Sequence, residues 1–311
     1  MSTSEFSLIQ QYFTQPLKNS SVNQLGIGDD CALMTVPKGY ELAISTDTMI
    51  EEVHFFANAN PRQLGHKLLA VNLSDLAAMG ANPVSLTLAL TIHKIDNHWL
   101  SEFSQGLKKL AQQFSVDIIG GDTTSGALAL TIQAMGLVPQ GLALKRSGAK
   151  VGDLIFVTGC LGDAGLGLKI EQGYLCSTPE QALQQFHQPQ PKIAEGIAIR
   201  EYANACIDLS DGIASDLKHI LKQSGVGARL DWEKIPRSKQ VNQYILETDD
   251  WSLPLVAGED YQLCFTVSPD KIDLIQIECT QVGTIEAEQG LRIQRSGIIN
   301  NLEVKGFEHF R

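Results

Sequence analysis

The order of apolar and polar residues predicts alternating strands and helices in the first half of the chain. Residues 40–46 and 86–92 have the composition and alternation of β-strands. Between them, Asn60-Pro61 is a favourable helix start, because Asn caps the first turn and Pro fits within it, and Gly80 is placed to end the helix. Further predicted elements are a helix over residues 99–114 and strands over residues 116–119 and 128–138.

The second half begins a new series of elements after a turn-rich segment, residues 139–148, which is the predicted linker. A strand over residues 153–158 leads into a glycine-rich turn and a helix, and these glycines are expected to serve as turn and close-packing positions. Helices are also predicted over residues 191–202 and 213–223, and strands over residues 205–209, 227–231 and 261–267. The pattern predicts two α/β domains, residues 1–140 and 141–311.

Length and charge narrow the class of protein. A chain of 311 residues is long enough for two domains, and its formal charge of −11 argues against nonspecific binding to nucleic acid or anionic membranes. The six Cys residues form no C-x-x-C pair, which predicts reduced thiols in a cytoplasmic protein. The first residues lack the pattern of a signal peptide, and the uncharged stretch over residues 123–144 is too polar for a membrane span.

Several aspartates stand in or beside apolar segments, where a charged carboxylate is costly. A buried carboxylate without a partner carries a large free-energy penalty or takes up a proton. A bound divalent cation would resolve this, and oxygen ligands from Asp, Ser and Thr suit Mg²⁺, so we expect magnesium and phosphate chemistry. The residues concerned are Asp29 and Asp30, Ser45, Thr46 and Asp47, Asp75, Asp122, and Asp208 with Asp211.

Asp75 gives the sharpest argument among these carboxylates. On the helix that opens at Pro61, it shares a face with apolar residues at spacings of three and four. The side chain is therefore expected to point toward the core. The alternative is a buried Asp that backbone N–H groups or a distant Arg satisfy. The residues of the shared face are Leu64, Leu68, Val71, Asn72, Asp75 and Met79.

The other aspartates are placed where ligands commonly bind in α/β proteins. Asp47 is expected at the carboxyl end of a strand, beside hydroxyl groups. Asp122 follows Gly120-Gly121, which would let backbone approach a phosphate, and Asp208 to Asp211 pass from a strand to a helix start that favours phosphate. Turns or helix caps are the simpler alternatives for Asp47, Asp122 and Asp211, but a cap does not explain Asp208 inside a strand.

Two further side chains are candidates for contacts with substrate. Arg146 lies in an otherwise uncharged stretch and could hold a polyphosphate, although a solvated linker cation is an equal alternative. His54 could donate to a substrate or be a satisfied core histidine. The sequence contains no P-loop, no G-x-G-x-x-G fingerprint, no protein-kinase motif and no Cys/His zinc pattern.

A resemblance to a known family becomes specific at these same residues. The sequence resembles the thiamine-monophosphate kinase family, which belongs to the aminoimidazole-ribonucleotide-synthetase-like superfamily. The shared segments cover nearly the whole chain and read, in order, GIGDD, STDTMIEEVHF, NLSDLAAMGANP, IGGDTT, KRSGAKVGD, VTG-x-LGDA, IDLSDG and AGEDYQL. The resemblance implies an α/β (α+β), two-domain PurM-like fold. Its N-terminal domain would bind ATP and metal through a mixed sheet that pairs in a homodimer, and its C-terminal domain would also be α/β.

The resemblance also implies a reaction and a set of roles. The expected reaction is ATP-dependent phosphorylation of thiamine monophosphate to thiamine diphosphate, the final step of thiamine diphosphate biosynthesis, by direct in-line transfer with several Mg²⁺ ions. The implied metal positions are Asp30, Ser45, Thr46, Asp47, Asp75, Asp122, Asp208 and Asp211, of which Asp47, Asp75 and Asp122 would be essential. The implied ATP contacts are Gly121, Asp122, Arg146 and Ser210, and the implied substrate contacts are His54, Glu259 and Phe307. Many relatives carry an aromatic residue beside the nucleotide where this chain has Ser104.

The chemistry of the acceptor agrees with the residues. A phosphate acceptor is already charged at neutral pH, so it needs no strong general base, and no His or Lys stands out as one. Other members of the superfamily are the nearest alternatives. Selenophosphate synthetases carry a reactive Cys or selenocysteine in a glycine-rich N-terminal segment, hydrogenase-maturation proteins carry a C-terminal Cys, and neither feature is expected here. A noncatalytic protein that buffers metal ions is the alternative from a different class.

Overall fold

The computed structural model describes residues 5–302, which separate into two compact units. The first contains residues 5–76 and Ala81–Gly141, and the second contains Ala77–Gly80 and residues 142–302. The elements of the first unit are α1 (Glu5–Tyr12), β1 (Asn23–Leu25), β2 (Leu33–Met34), β3 (Tyr40–Ile50), α2 (Pro61–Ala78, whose last two residues belong to the second unit), β4 (Asn82–Ile92), α3 (Asn97–Gln113), β5 (Asp117–Ser125) and β6 (Ala129–Pro139).

The strands of the first unit form a mixed sheet. Within residues 5–302, β3, β6, β4 and β5 are neighbours in that order, and β1 pairs with β2 separately. β4 and β5 run parallel, whereas the β3–β6 and β4–β6 pairs are antiparallel. α2 lies against one face of this sheet, where Ser45 of β3 contacts Asp75 of α2. We call this the helix face and the other side the opposite face.

Two glycines allow α2 and α3 to pack closely. A Cβ at Gly65 would lie 2.2 Å from the Phe103 carbonyl oxygen, and one at Gly106 would lie 1.9 Å from that of Arg62. Each helix therefore presents a glycine to the backbone of the other. Phe103, Leu107 and Leu110 of α3 are fully buried, so the contact is part of the core of this unit. The close crossing keeps α2, which carries Asp75, in a defined position.

The second unit is built around a larger sheet. Its elements are β7 (Leu154–Val157), α4 (Asp163–Glu171), α5 (Glu180–His187), α6 (Ile193–Ile199), β8 (Ala205–Asp208), α7 (Ile213–Ser224), β9 (Gly227–Asp231), α8 (Lys239–Thr248), α9 (Leu253–Val256), β10 (Leu263–Val267), β11 (Thr280–Glu286), β12 (Gly290–Arg295) and β13 (Ile298–Asn301). Among the described residues the strand order is β13-β12-β9-β11-β7-β10-β8. Apolar residues of α7 pack with β7, β8 and β9 in the core, for example Ile213, Leu217 and Ile220.

The elements predicted from the residue pattern are present in the structure. The helix from Pro61 extends to Ala78, the predicted strand over residues 205–209 is β8, and the helix over residues 213–223 is α7. The six cysteines are free thiols, as predicted. Across the described part of the chain, no helix combines the length and the apolar character needed to cross a membrane.

Candidate active site

A pair of carboxylates, Asp47 and Asp75, lies on the helix face together with the Ser45 hydroxyl. The Ser45 hydroxyl donates to an Asp75 carboxylate oxygen, and the Asp47 N–H donates to Oδ1 of Asn72 at 3.2 Å. Burial, followed by the charge of Asp75, raises the pKa of Asp47 to about 6. Asp75 lies on the face of α2 that meets the sheet, as its spacing predicts. The arrangement holds two carboxylates together with a hydroxyl and is suited to a cation.

One local prediction about Asp47 is wrong. Residues 40–46 were expected to form a strand that ends at Asp47, but β3 continues to Ile50. The additional residues Thr48, Met49 and Ile50 pair with Thr131, Leu130 and Ala129 of β6. The extension follows from this pairing, which the sequence of β3 alone does not reveal. Asp47 is therefore held inside a strand and faces α2.

Thr46 lies on the opposite face of the sheet from Ser45 and Asp47. Successive side chains of a strand alternate between faces. The contacts agree, because Gln133 of β6 donates to the Thr46 hydroxyl at 3.4 Å and the Thr48 and Thr131 hydroxyls lie 2.8 Å apart. Of the three predicted metal ligands in this part of β3, the structure brings Ser45 and Asp47 together and places Thr46 apart from them.

Gly121 and Asp122 belong to β5 and not to a turn after it, which corrects the boundary predicted near residue 119. Asp122 is paired with Ala89, which is paired with Thr131, so register places Asp122 on the opposite face. The φ angle of Gly121 is +151°, and a Cβ there would lie 1.9 Å from the Leu88 carbonyl oxygen. Only glycine therefore fits this position.

Asp30 and Asp122 line one pocket of the first unit. Its volume is about 980 Å³, and its wall combines the segment from Gly28 to Ala32 with residues 120–123, Ile9 of α1 and Phe13, which follows α1. Asp29, Asp30 and Asp122 are exposed. The pocket thus offers carboxylates, glycine backbone and an apolar wall, a combination that suits part of a phosphate-bearing ligand.

The two groups of carboxylates are far apart within one chain. Asp47 is paired with Ile132, Ile132 with Leu88, and Leu88 with Gly121, so Asp47 and Gly121 stand in one row across four strands. Three spacings between strands amount to about 14 Å. Asp47 and Asp122 also lie on different faces. They cannot hold the same ion within this unit.

His54 follows β3 in a tight turn. Its ring Nδ1 accepts a hydrogen bond from the Ile50 N–H at 3.0 Å, and the backbone N–H of His54 donates to the Ile50 carbonyl at 2.9 Å. The ring is half-buried. This local hydrogen bond fixes the tautomer with hydrogen on Nε2, which leaves that nitrogen as a donor.

In the second unit, Asp208, Ser210 and Asp211 form one segment between β8 and α7. The segment from Gly258 to Tyr261 lies beside it, because the Glu259 N–H donates to the Ser210 carbonyl at 2.8 Å and the Tyr261 N–H donates to the Leu209 carbonyl at 2.9 Å. A Cβ at Gly258 would lie 2.2 Å from the Ser210 carbonyl oxygen. These contacts bring Glu259 to the predicted metal and ATP residues.

Asp216 is a carboxylate near this segment that the sequence analysis missed. It lies on α7, is buried, and its Oδ2 accepts a hydrogen bond from the Asp211 N–H at 2.9 Å. Its pKa is raised to about 8, chiefly by burial; the hydrogen bond from the Asp211 N–H and the charge of Arg146 lower the pKa, whereas the charges of Asp211 and Asp208 raise it. The spacing of Ile213, Asp216 and Leu217 on a helix was the signal that could have revealed it.

Arg146 is exposed and close enough to α7 to act on charges there. It lowers the pKa of Asp216 and, after burial, that of His219. The backbone around it is anchored, since the Cys206 N–H donates to the Lys145 carbonyl at 2.9 Å. A cation is thus present beside the carboxylates of this segment, where a polyphosphate chain could bind.

Asp260, next to Glu259, has a structural role. Its carboxylate accepts the N–H groups of Gly162 at 2.6 Å and Ala164 at 3.0 Å, at the start of α4. Complete burial raises its pKa to about 7, although these two hydrogen bonds act in the opposite direction. The glycine-rich turn before α4 is thereby filled by a protein carboxylate, which agrees with a packing role for its glycines.

Two residues named in the sequence analysis remain. Ser104 is buried in α3, and its hydroxyl donates to the Ser101 carbonyl at 3.1 Å. Phe307 lies outside the described residues.

The donor set suits Mg²⁺ that is shared with phosphates. Among residues 5–302, no group of three or more His, Cys, Asp or Glu side chains is arranged to hold a metal ion. The carboxylates come instead in small groups, such as Asp47 with Asp75. Mg²⁺ in proteins is commonly held by one or two carboxylates together with substrate phosphates and water. The oxygen donors present therefore fit the ion.

Comparison with known proteins gives two family matches. Residues 28–138 match the model of the AIR synthase related protein, N-terminal domain, and residues 150–296 match that of the AIR synthase related protein, C-terminal domain. The two matches lie one in each half of the chain and together cover most of it.

Relatives match the chain along its whole length. Thiamine-monophosphate kinase of Salmonella typhimurium (strain LT2) is 44% identical, over 100% of this chain and 99% of that protein. The crystal structure of thiamine-monophosphate kinase from Stenotrophomonas maltophilia K279a is 37% identical, covers 94% of this chain and 97% of its own, and superposes with a TM-score of 0.86. The complex of AaThiL with AMPPCP and TMP is 28% identical, covers 99% and 97%, and has a TM-score of 0.80.

Proposed function

Since the chain belongs to the thiamine-monophosphate kinase family of AIR synthase related proteins, we propose that it transfers the γ-phosphoryl group of ATP to thiamine monophosphate. An oxygen of the acceptor phosphate forms the new bond to the γ-phosphorus, and the bond from that phosphorus to the β,γ-bridging oxygen breaks. The products are ADP and thiamine diphosphate. The observation that carries the proposal is the full-length match to thiamine-monophosphate kinases. The position of Asp47 and Asp75 beside the Ser45 hydroxyl supports it, because such oxygen groups suit Mg²⁺ that also binds phosphate.

Two groups of side chains are proposed to hold Mg²⁺. Ser45, Asp47 and Asp75 form the first, on the helix face, and Asp208 with Asp211 form the second. Asp30, Asp122 and Thr46 would provide further oxygen ligands. When bound, Mg²⁺ would neutralise the charge of the phosphate oxygens and so favour the approach of two anionic substrates.

The contacts with ATP and with the acceptor are proposed residue by residue from the family resemblance. Gly121, Asp122, Arg146 and Ser210 would contact ATP: glycine backbone would allow close approach of phosphate, and the planar guanidinium would bind phosphate oxygens. His54, Glu259 and Phe307 would contact thiamine monophosphate. The bound ligands of AaThiL, AMPPCP and TMP, support binding of both substrates by a protein of this fold.

No side chain is needed as a general base. The acceptor phosphate is ionised at neutral pH, so its oxygen attacks without prior loss of a proton. The protein would contribute by orienting the two phosphates in line and by compensating their charge. A hydrogen-bond donor at the site, such as the Nε2–H of His54, would be sufficient to bind the acceptor phosphate.

We also propose that the active form is a homodimer. Ile44 and Ile50 are apolar and exposed on β3, on the face where Thr46 and Asp122 lie. Asp47 with Asp75 and Asp30 with Asp122 are on different faces of one sheet, too far apart to serve one pair of phosphates. A second copy that packs on this face would cover these apolar side chains and place its own Asp30 and Asp122 against the face that carries Thr46.

A choice of acceptors tests the function. The purified protein is incubated with ATP and Mg²⁺ and with either thiamine monophosphate or free thiamine, and products are separated by chromatography. Thiamine diphosphate formed only from thiamine monophosphate is the expected result. Phosphorylation of free thiamine would contradict the proposed acceptor. No product from either acceptor would favour a noncatalytic metal-binding protein.

A further inference from the structure

A buried carboxylate accepts a backbone hydrogen bond from the segment that carries Asp208, Ser210 and Asp211. Asp216 projects from the first turn of α7 and is 3% exposed. Its Oδ2 accepts the N–H of Asp211 at 2.9 Å. Asp216, five residues further along the chain, thus fixes the backbone of Asp211 at the point where β8 passes into α7.

The same segment is held from the other side by residues 258–261. The carbonyl groups of Leu209 and Ser210 accept N–H groups of Tyr261 and Glu259. Gly212 has a φ of +93°, and a Cβ there would lie 2.9 Å from the carbonyl oxygens of Leu255 and Ala257. The backbone from 209 to 212 therefore has a conformation that neighbouring groups impose on it.

Asp216 also acts on the charges around the segment. The charged groups that influence it are Asp208 and Asp211 on the chain before α7 and Arg146 in the segment between β6 and β7. Loss of its carboxylate would remove the acceptor that the Asp211 N–H has in the structure. The segment would then be expected to move, and Asp208, Ser210 and Asp211 with it.

We propose that Asp216 is a positioning residue that holds this segment in the form that binds metal and ATP. The proposal rests on the proposed function of Asp208, Ser210 and Asp211. Asp216 contacts neither substrate; it acts through the Asp211 backbone. Residues that orient metal ligands commonly change metal affinity or activity 10–100-fold when they are removed, and we expect about tenfold or more here.

Asp216→Asn and Asp216→Ala separate this role from packing. Asn keeps an oxygen that can accept the Asp211 N–H, whereas Ala removes it. The control is Asp153→Ala, because Asp153 is also buried and accepts a backbone N–H, that of Lys150 at 2.9 Å, away from the segment. The measurements are Mn²⁺ binding by electron paramagnetic resonance, the Mg²⁺ concentration for half-maximal activity, the KM for ATP, and the melting temperature.

The expected result is about tenfold weaker Mn²⁺ binding and a similarly raised Mg²⁺ requirement and KM for ATP in Asp216→Ala. Asp216→Asn should stay within about threefold of wild type, and Asp153→Ala should lower only the melting temperature. Equal Mn²⁺ binding in Asp216→Ala and wild type would overturn the proposal, as would equal losses in the Ala and Asn variants.

If Asp216→Ala does not fold, Asp216→Glu takes its place. Glu keeps the charge but moves the oxygens by one methylene, so weaker Mn²⁺ binding is expected, and unchanged binding would overturn the proposal. A wild-type protein that forms no thiamine diphosphate would instead refute the proposed function. The two failures are therefore distinguishable.

Discussion

The Ser45 hydroxyl on β3 donates a hydrogen bond to the carboxylate of Asp75 on α2. This bond joins the sheet to the helix at the point where Asp47 also faces α2. The charge of Asp75 and the burial of the site both raise the pKa of Asp47. Two carboxylates are thus held together although their negative charges repel each other. A bound divalent cation would reduce this repulsion.

Neutralising either member of this pair should abolish turnover while the fold survives. Asp47→Asn and Asp75→Asn each remove a charge that the metal-bound phosphates need, and we expect kcat to fall by at least about 10²-fold. Because the mutual repulsion is removed as well, the melting temperature should stay the same or rise. Steady-state kinetics at saturating Mg²⁺ and thermal unfolding measure the two effects. Near-normal activity of both variants would refute the metal role.

Mixed dimers test whether one site uses both chains. Two inactive variants, Asp47→Asn and Asp122→Asn, are coexpressed with different tags, and the heterodimer is isolated by tandem purification. If Asp47 of one chain acts with Asp122 of the other, one of its two sites carries both changes and the other is intact. The heterodimer should therefore have about half of the wild-type activity.

The matched control is a heterodimer of Asp47→Asn with Asp75→Asn. These two residues belong to the same group, so each site of this heterodimer loses one of them, and no recovery is expected. An inactive Asp47→Asn and Asp122→Asn heterodimer would mean that both residues of a site come from one chain. Monomeric active protein in light scattering would exclude the dimer altogether.

Gly120 and Gly121 should differ sharply in their tolerance of alanine. A Cβ at Gly121 would lie 1.9 Å from the Leu88 carbonyl oxygen, and its φ is +151°, whereas the nearest atom at Gly120 is the Thr87 Cγ2 at 3.7 Å. We expect Gly121→Ala to lower the free energy of unfolding by about 2 kcal/mol or more and Gly120→Ala by less than about 1 kcal/mol. Urea unfolding measures both. Equal effects would argue against the close contact of β5 with β4.

Asp260 should make stability depend on pH. Its folded pKa, about 7, lies above the ordinary value of 3.8, so the folded state binds the proton more tightly. The stabilisation is present below about pH 4 and is lost as pH rises through about 7, with a slope of at most about 1.4 kcal/mol per pH unit. In Asp260→Asn, which does not titrate, the free energy of unfolding should fall less steeply between pH 5 and 8.

The measurement is urea unfolding of both proteins at several pH values, in EDTA to exclude metal ions. Asp47 and Asp216 also have raised pKa values, so a residual slope is expected in the variant. Identical slopes in wild type and Asp260→Asn would show that Asp260 is ionised in the folded protein throughout this range.

Local patterns were sufficient for the main helices and for several strands. α2 was predicted from Asn60-Pro61 at its start and Gly80 after its end, and the orientation of Asp75 followed from helical spacing alone. β11, β12 and β13 were not predicted, because their short segments mix polar and apolar residues without a clear period. α5 and α8 were missed although Ala182 with Phe186 and Val241 with Tyr244 have helical spacing. Those strands complete the sheet of the second unit through pairing with distant segments.

The identity of the chemically important residues is local information, because a carboxylate beside apolar residues is visible in a single segment. The family resemblance was likewise readable from ordered segments, and the relatives confirm it. The sequence alone does not reveal which carboxylates lie close together in the fold. Strand register places Asp47 and Asp122 on different faces of one sheet, and the hydrogen bonds between residues 209–210 and 259–261 bring Glu259 to Asp208.

Asp216 shows the same limit from the other direction. Its spacing with Ile213 and Leu217 indicates burial, but only the structure shows that its carboxylate accepts the N–H of Asp211. Side-chain chemistry and periodicity act over a few residues and can be read along the chain. The grouping of charges depends on contacts between segments far apart in sequence. These contacts form only when the whole chain folds, so they cannot be read from one segment.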